Sequence, residues 1–191
     1  MDNSLIYRNT KGEKRYNNNQ LREWVSCILN INRKKTNYLA IGSSDGTVKI
    51  LNNEYNIIRE IPGGDYALTS LSTDDDGEYL FIAYKEGTIK VINIENIEHE
   101  NDAKQVLETG AEINAILFES KFFQIYALGT NKGVQIRKIK GGKKPEFEDN
   151  ENGACLSLTY DKSKEYLFSG FADGTLSVYK AVKWVRKIKI W

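Results

Sequence analysis

The chain has 191 residues, a formal net charge of +1, 40% hydrophobic residues and 28% charged residues. This composition excludes a disordered tail, and the balanced charge excludes a protein held to nucleic acid by bulk charge alone. Two cysteines and one histidine are too few for a disulfide framework or a multi-histidine zinc site, and no apolar run approaches the roughly 18 residues of a membrane-spanning helix.

A pattern of apolar strand, short turn and second apolar strand occurs four times along the chain. The turns end in glycines separated by 41, 46 and 41 residues: Gly46, Gly87, Gly133 and Gly174. The residues that precede these glycines are Asp45, Glu86, Lys132 and Asp173. Asp-Gly pairs predict type I′ hairpin turns, in which both residues have positive φ. The period of the pattern is typical of WD-repeat propellers.

A further strand is predicted before each hairpin, and it carries a column of small residues: Cys27, Ser70, Ala115 and Ser157. We expect this strand to be the innermost of its blade, where small side chains fit close to a central axis. Both cysteines, Cys27 and Cys155, are therefore interpreted as packing residues. No segment has a convincing helical periodicity, so the predicted fold is all-β.

The repeat boundaries predict one partial propeller domain over residues 1–191. Residues 1–20 are expected to be the last two strands of a truncated blade, because residues 5–9 match the third strand of the other repeats. Four full blades are predicted at residues 21–65, 66–111, 112–152 and 153–191. Ile188 and Ile190 alternate with lysines, which predicts that the tail supplies the fourth strand of the last blade.

Several short motifs resemble the C-terminal half of the receptor for activated C kinase, a WD-repeat family of ribosome-associated scaffolds. The residues that carry this resemblance are Ile6, Asn9, Thr10, Gly12 and the segments 23–27, 113–118 and 167–173. The order of the motifs is similar to blades four to seven of that seven-bladed family. The resemblance implies a position on the small ribosomal subunit and docking of signalling proteins.

The chain also departs from the family pattern. The places of the Trp-Asp pair that names the repeat are taken by Leu51-Asn52, Ile92-Asn93, Arg137-Lys138 and Tyr179-Lys180. No Gly-His pair begins a blade, so the family's Asp–His–Ser/Thr–Trp hydrogen-bond network cannot form. We expect the blades to depend on apolar packing instead. The family's basic ribosome contacts lie in its first blade, and none of them can be transferred to this chain.

Two basic clusters and one acidic run are candidate sites. The cluster Arg137, Lys138, Lys140, Lys143 and Lys144 precedes four acidic residues and is interpreted as solvated surface. In the tail, basic residues alternate with aromatic ones, which predicts contact with RNA or a protein partner at Lys183, Trp184, Arg186, Lys187 and Lys189. The alternative is an outer strand whose lysines oppose aggregation. Asp74-Asp75-Asp76-Gly77 is interpreted as a turn, since it lacks the ligand spacing of a calcium loop.

The sequence predicts a cytoplasmic, non-catalytic scaffold without metal or cofactor. Its expected partners are the rRNA and proteins of the small (40S) ribosomal subunit, and signalling or translation proteins. Membrane insertion and a small-molecule substrate are not expected. The alternative is a WD-repeat subunit of another assembly, such as a trafficking or ubiquitin-ligase complex.

Overall fold

The structure is a computed structural model that describes residues 5–8, 14–18, 23–33, 36–94, 105–119, 125–139, 144–180 and 187–190. Within these ranges the repeating elements are β-strands, as the predicted all-β fold requires. The two strands that begin the chain pair with each other and are β1 (Leu5–Arg8) and β2 (Lys14–Asn18). The predictions for Lys183, Trp184 and Arg186 concern residues outside the described ranges.

The other strands form four antiparallel sheets of four strands, which are called sheets I to IV. Sheet I contains β3 (Val25–Asn32), β4 (Asn37–Ser43), β5 (Val48–Leu51) and β6 (Ile57–Ile61). Sheet II contains β7 (Leu68–Thr73), β8 (Tyr79–Tyr84), β9 (Thr88–Asn93) and β10 (Gln105–Glu108). Sheet III contains β11 (Ile113–Glu119), β12 (Ile125–Thr130), β13 (Gly133–Lys138) and β14 (Phe147–Asp149). Sheet IV contains β15 (Cys155–Tyr160), β16 (Tyr166–Phe171), β17 (Leu176–Lys180) and β18 (Lys187–Ile190).

Each sheet is a simple meander in which strands that are consecutive in the chain are neighbours in space. This arrangement is that of a propeller blade. In sheet IV the fourth strand comes from the C-terminal tail, with Ile188 opposite Val178 and Ile190 opposite Leu176. The alternation of isoleucine and lysine therefore predicted this strand and its place correctly.

The hairpin turns differ from the predicted type I′ geometry. Gly46 and Gly174 have φ values of 82° and 86°, but the aspartates before them do not have positive φ. The Gly46 N–H donates to the Ser43 carbonyl and the Ser43 N–H donates to the Thr47 carbonyl. This pattern indicates a three-residue loop with a type I turn, followed by a left-handed glycine. The prediction of type I′ turns was wrong, because the loop has three residues rather than two. In such a loop only the third residue, the glycine, has positive φ.

The first strand of every sheet contains an extra residue at the same place. The pairing register shifts there in all four sheets, and the inserted residues are Ser26, Thr69, Asn114 and Leu156. The predicted small column follows this bulge and pairs with equally small residues of the second strand: Gly42, Ala83, Gly129 and Gly170. A bulge bends a strand and increases its twist.

The small residues permit a close approach between consecutive sheets. A Cβ atom added to Gly42 would lie 2.5 Å from Leu68 Cδ2 of the next sheet. A Cβ atom on Gly129 would lie 2.9 Å from Cys155 Sγ, again of the next sheet. The first residues of β7 and β15, Leu68 and Cys155, thus pack on the small pair of the preceding sheet, which explains why both positions of that pair are small.

Apolar side chains fill the space between consecutive sheets. One cluster joins sheets I and II through residues such as Ile50 and Ile82, and a second joins sheets II and III. In the second cluster, Phe81 stacks on Phe118 with a centroid separation of 4.3 Å. A third cluster joins sheets III and IV and includes the buried Cys155. Both cysteines are free thiols that pack against these clusters.

The residue that stands in place of the tryptophan of the WD-repeat Trp-Asp pair is buried in each of the four sheets. These residues are Leu51, Ile92, Arg137 and Tyr179. Two of these residues make polar contacts outside their own sheet, Arg137 with the segment that connects sheets II and III and Tyr179 with sheet III. Arg137 Nη2 donates to the Thr109 carbonyl at 2.8 Å. The Tyr179 hydroxyl donates to Asp149 Oδ2 at 2.8 Å. The interpretation of Arg137 as solvated surface was wrong, because its side chain is buried and its guanidinium forms a hydrogen bond there. The packing between sheets is therefore apolar with added buried hydrogen bonds.

Replacement of Gly87 by alanine is expected to destabilise the protein more than replacement of Gly174. Both glycines are left-handed, with φ values of 108° and 86°, so alanine costs about 1 kcal/mol at either position. A Cβ atom on Gly87 would in addition lie 2.5 Å from the Ala111 carbonyl oxygen, whereas Gly174 has open space. Thermal unfolding should show the larger loss for Gly87→Ala, and equal losses would contradict this close approach.

Tyr179→Phe is expected to destabilise the contact between sheets III and IV by about 1.5–3 kcal/mol, because the buried Asp149 carboxylate loses a donor. Burial, and then the bond to Asp149, raise the pKa of Tyr179 above the ordinary value of 10.0. A raised folded-state pKa gives stability that is fully present below about pH 10 and is lost as the pH rises further.

Denaturant titrations at several pH values would measure both effects, with Tyr166→Phe as the control in the same sheet. We expect the loss of stability above pH 10 to be smaller in Tyr179→Phe than in the wild type. An identical alkaline loss in the two proteins would show that Tyr179 does not contribute to it.

Candidate binding surface

The innermost strand of sheet I carries an apolar surface that its equivalents in other sheets do not expose. Ile28 is 56% exposed, whereas Leu71 and Ile116 at the same position of sheets II and III are 8% and 2% exposed. Val25 is 41% exposed, whereas Leu68 is buried. With the exposed Trp24, Val25 and Ile28 form a surface that is called the inner patch.

The inner patch lies on the face of sheet I that points away from sheet II. Ile28 is paired across the sheet with Ile41, and Ile41 is paired with Lys49, so the three share this face. Ile41 and Lys49 are buried, and Lys49 Nζ lies 3.4 Å from Glu60 Oε2. The exposed large apolar residues of this face, Val25 and Ile28, therefore lie on the innermost strand.

A second apolar surface lies on sheet IV, at the other end of the array. Leu176 is 39% exposed, although Val48, Ile89 and Val134 are fully buried at the equivalent position. Leu156 is the inserted residue of its strand and is also exposed. A Cβ atom on Gly170 would meet only Ser157 Oγ of the same sheet. This surface lacks, within the described residues, the following sheet that covers its equivalents.

The predicted turn residues lie between the second and third strands, where they support the segments that connect the sheets. Atoms of Tyr66, Ala111 and Asp149 come within 3 Å of Cβ atoms built on Gly46, Gly87 and Gly133 respectively. Asp45 Oδ1 accepts the Thr47 N–H at 2.9 Å, and Asp173 Oδ1 accepts the Thr175 N–H at 2.8 Å. Burial opposes ionisation of Asp45, but hydrogen bonds from Thr47 lower its pKa. These contacts give the turn residues a structural role.

The predicted basic tail is described only in part. Lys187 and Lys189 lie in β18, the outermost strand of sheet IV, at the register positions opposite Tyr179 and Ser177. Lys183, Trp184 and Arg186 lie outside the described residues. Of the other basic cluster, Lys138 forms an ion pair with Glu146, with a distance of 3.1 Å between Nζ and Oε2.

The acidic run between β7 and β8 forms a turn, as its sequence predicts. Asp74 Oδ1 accepts the N–H groups of Glu78 and Tyr79 at 2.7 and 2.9 Å. Burial, together with the charge of Asp76, raises the pKa of Asp74 despite these bonds. Asp75 forms an ion pair with Lys164 of the turn between β15 and β16. Sequence reasoning missed this contact because 89 residues separate the two groups.

The cysteine thiols and the candidate metal-ligand groups are the side chains considered for chemical reactivity. Burial raises the pKa of Cys27 to about 11 and that of Cys155 to about 12, so both thiols are protonated at neutral pH. Among the described residues, no group of three or more His, Cys, Asp or Glu side chains is placed to hold a metal ion. The same part of the chain has no helix of the length and hydropathy needed to cross a membrane.

Comparison with known proteins identifies distant relatives of the chain, although no family model matches it. It is 24% identical over 165 residues to the small ribosomal subunit protein RACK1y of Oryza sativa subsp. japonica. This match covers 82% of the chain and 48% of the rice protein. The chain thus spans about half the length of the curated relative that it matches.

Among solved structures, the chain is similar to the crystal structure of the Cps50 (Swd1) β-propeller domain of Myceliophteria thermophila. The TM-score is 0.67 at 20% sequence identity, over 87% of this chain and 56% of that one. This likeness shows the fold, which is a partial WD40-type β-propeller. The predicted fold class is thereby confirmed.

Aspartate is expected to be tolerated at Ile28 far better than at Leu71, although the two residues are equivalent in the repeat. Ile28→Asp should cost about 1 kcal/mol, from the low strand propensity of aspartate. Leu71→Asp should cost about 3 kcal/mol or more, because its carboxylate would be desolvated between sheets I and II. Chemical denaturation measures both, and equal losses would mean that Ile28 is covered in solution.

Proposed function

We propose that the chain is a non-catalytic scaffold that binds the small (40S) ribosomal subunit and docks signalling or translation proteins there. The observation that carries the proposal is the similarity to the small ribosomal subunit protein of rice over 82% of the chain. The propeller fold supports a binding role, because its repeated sheets expose turns and edges on a rigid frame. A cytoplasmic location follows from the proposed ribosomal partner.

The surface chemistry supports a binding role over a catalytic one. Trp24 and Tyr66 are large, exposed aromatic residues, which are enriched where proteins bind one another. The protonated thiols Cys27 and Cys155 are poor nucleophiles. A scaffold function requires no metal, cofactor or small-molecule substrate.

The tail is the proposed contact with rRNA. Lysine and arginine bind phosphate groups and tryptophan stacks on unpaired bases, so Lys183, Trp184, Arg186, Lys187 and Lys189 suit single-stranded RNA. The position of Lys187 and Lys189 in an outermost strand is also compatible with a purely structural role, in which lysines oppose edge-to-edge pairing. The two roles differ in their dependence on salt.

Purified 40S subunits are expected to co-sediment with the chain at physiological salt, and the double variant Lys187→Glu/Lys189→Glu should weaken this binding. If the lysines bind phosphate groups, the slope of log K against log salt should fall by about 0.7–0.9 for each phosphate group that is no longer bound. The matched control is Lys144→Glu/Lys162→Glu, which reverses the same charge at two exposed positions.

Failure of the wild-type chain to co-sediment would contradict the ribosomal proposal. That result would favour the alternative of a WD-repeat subunit in a trafficking, ubiquitin-ligase or other assembly. Binding that is weakened equally by the control pair would show that the tail is not the RNA contact.

A further inference from the structure

The turns between the second and third strands lie at the same end of the sheets as the segments that lead into each inner strand. The same hydrogen bond joins the two in all four sheets, from the turn to the residue that precedes the inner strand. The N–H donors are Ser44, Lys85, Asn131 and Ala172, and the carbonyl acceptors are Trp24, Ala67, Glu112 and Ala154. This surface is called the turn face, and it comprises residues 23–24, 44–47, 62–67, 85–87, 109–112, 131–132, 150–154 and 172–175.

The turn face is strongly acidic, although the chain as a whole has a net charge of +1. Its two basic residues are Lys85 and Lys132. Its seven acidic residues are Glu23, Asp45, Asp65, Glu86, Glu112, Glu151 and Asp173. All of them except the half-buried Asp45 and Glu86 are exposed. A surface with charges of one sign attracts ligands of the opposite sign and repels those of its own.

Two large aromatic side chains stand among these carboxylates. Trp24 is 66% exposed and Tyr66 is 53% exposed, and each directly follows an acidic residue, Glu23 and Asp65 respectively. Both flank the turn between β4 and β5. The Trp24 carbonyl accepts a hydrogen bond from this turn, and a Cβ atom on Gly46 would lie 2.7 Å from the Tyr66 carbonyl oxygen. An aromatic ring beside a carboxylate offers a cation both a ring face and an ion pair.

Glu86 lies in the next turn, between β8 and β9. Its Oε2 atom is buried and has no hydrogen-bond partner within the described residues. Burial, and then the charge of Glu86, raise the pKa of Tyr84 to about 12. The Tyr84 hydroxyl donates to the Gly46 carbonyl at 3.4 Å, so the Glu86 carboxylate acts towards the turn that the two aromatic residues flank.

A second unpartnered oxygen lies at the start of that same turn. Ser43 is 5% exposed, and its Oγ atom also lacks a partner among the described residues. Buried polar atoms without a partner are uncommon in proteins. A ligand that supplies hydrogen-bond donors suits this part of the turn face, and a cationic donor forms the stronger bond with a carboxylate.

We propose that the turn face, centred on Trp24, Tyr66 and Glu86, is a docking surface for an arginine- or lysine-rich segment of a partner protein. Cationic side chains of that segment stack on the two rings and form ion pairs with the surrounding carboxylates. Arginine fits best, because its planar guanidinium stacks on an aromatic ring and donates two parallel hydrogen bonds to a carboxylate. The inference rests on the proposed docking role, but it does not require the ribosomal subunit.

Charge determines which class of partner fits the turn face. The phosphate groups of RNA or of an anionic lipid surface would be repelled by the acidic residues, and so would an acidic protein. A basic protein segment complements both the charge and the exposed rings. The rRNA contact proposed for the tail is a separate surface, since its residues lie outside the turn face.

The test uses the full chain, without ribosomes, and a labelled peptide of about ten residues in which arginine alternates with glycine. We expect saturable binding by fluorescence anisotropy, which weakens as the ionic strength rises because exposed charges are screened. The same peptide with glutamate in place of arginine should not bind. Oligouridine should not compete with the arginine peptide.

Glu23→Gln/Asp65→Asn should weaken peptide binding about fivefold, because the carboxylates beside both rings lose their charge. The matched control is Asp76→Asn/Glu78→Gln, which removes the same charges at two exposed positions in the turn between β7 and β8, at the opposite end of the sheets. The control pair should bind like the wild type.

Trp24→Ala should weaken peptide binding about threefold, whereas Trp24→Phe should retain most of the affinity because a ring remains. The Trp24 side chain is mostly exposed, so circular dichroism should show the wild-type fold for both variants. If Trp24→Ala does not fold, the pair Tyr66→Ala and Tyr66→Phe replaces it with the same expected directions.

Absence of peptide binding, binding of the glutamate peptide, equal weakening by the two charge-removing pairs, or equal affinities of Trp24→Ala and Trp24→Phe would overturn the proposal. Competition by oligouridine would assign the turn face to nucleic acid and would also overturn it. So would self-association in sedimentation velocity that Glu23→Gln/Asp65→Asn abolishes, because the occupant would then be a second copy. Failure of the co-sedimentation experiment leaves these outcomes unchanged, so the two proposals fail separately.

Discussion

The close approach of consecutive sheets at their innermost strands is the constraint on which the rest of the structure depends. The second strand has glycine or alanine at the point of contact, and the first strand has cysteine, serine or alanine opposite it. The first residue of the following inner strand occupies the space that larger side chains would fill, as Leu68 does over Gly42. Blades without the Trp-Asp pair can pack, because this contact depends on the fit between small residues of one sheet and a larger side chain of the next.

Contacts between the sheets take different forms at equivalent positions. The guanidinium of Arg137 reaches the carbonyl of Thr109 in the segment that connects sheets II and III, whereas the hydroxyl of Tyr179 reaches a carboxylate of sheet III. At the equivalent positions of sheets I and II, the buried side chains of Leu51 and Ile92 have no polar atoms and pack by shape alone. A buried polar group is tolerated when it has a hydrogen-bond partner. The two polar residues at this position therefore have such partners, and the two apolar residues need none.

The repeated elements of the fold were predictable from sequence, and the contacts between them were not. Glycine spacing and strand alternation predicted the four hairpins, and the Ile188–Ile190 alternation predicted the last strand, because these patterns are local. The turn type was mispredicted because Asp-Gly also suits a three-residue loop. Arg137 was mistaken for surface because its neighbours are lysines, although its own side chain points between sheets. The exposure of Ile28 depends on what precedes sheet I in space, which no residue in its own strand reveals.

The order of the sheets also determines how the molecule comes apart. Apolar clusters connect each sheet with the next one in the chain, as in a linear array with nearest-neighbour coupling. Within the described residues, sheets II and III pack on a neighbouring sheet on both sides, whereas sheets I and IV each have an inner edge that no described residue covers. Local opening is therefore expected to begin at sheets I and IV, and the Asp75–Lys164 ion pair adds a contact between turns of sheets II and IV across sheet III.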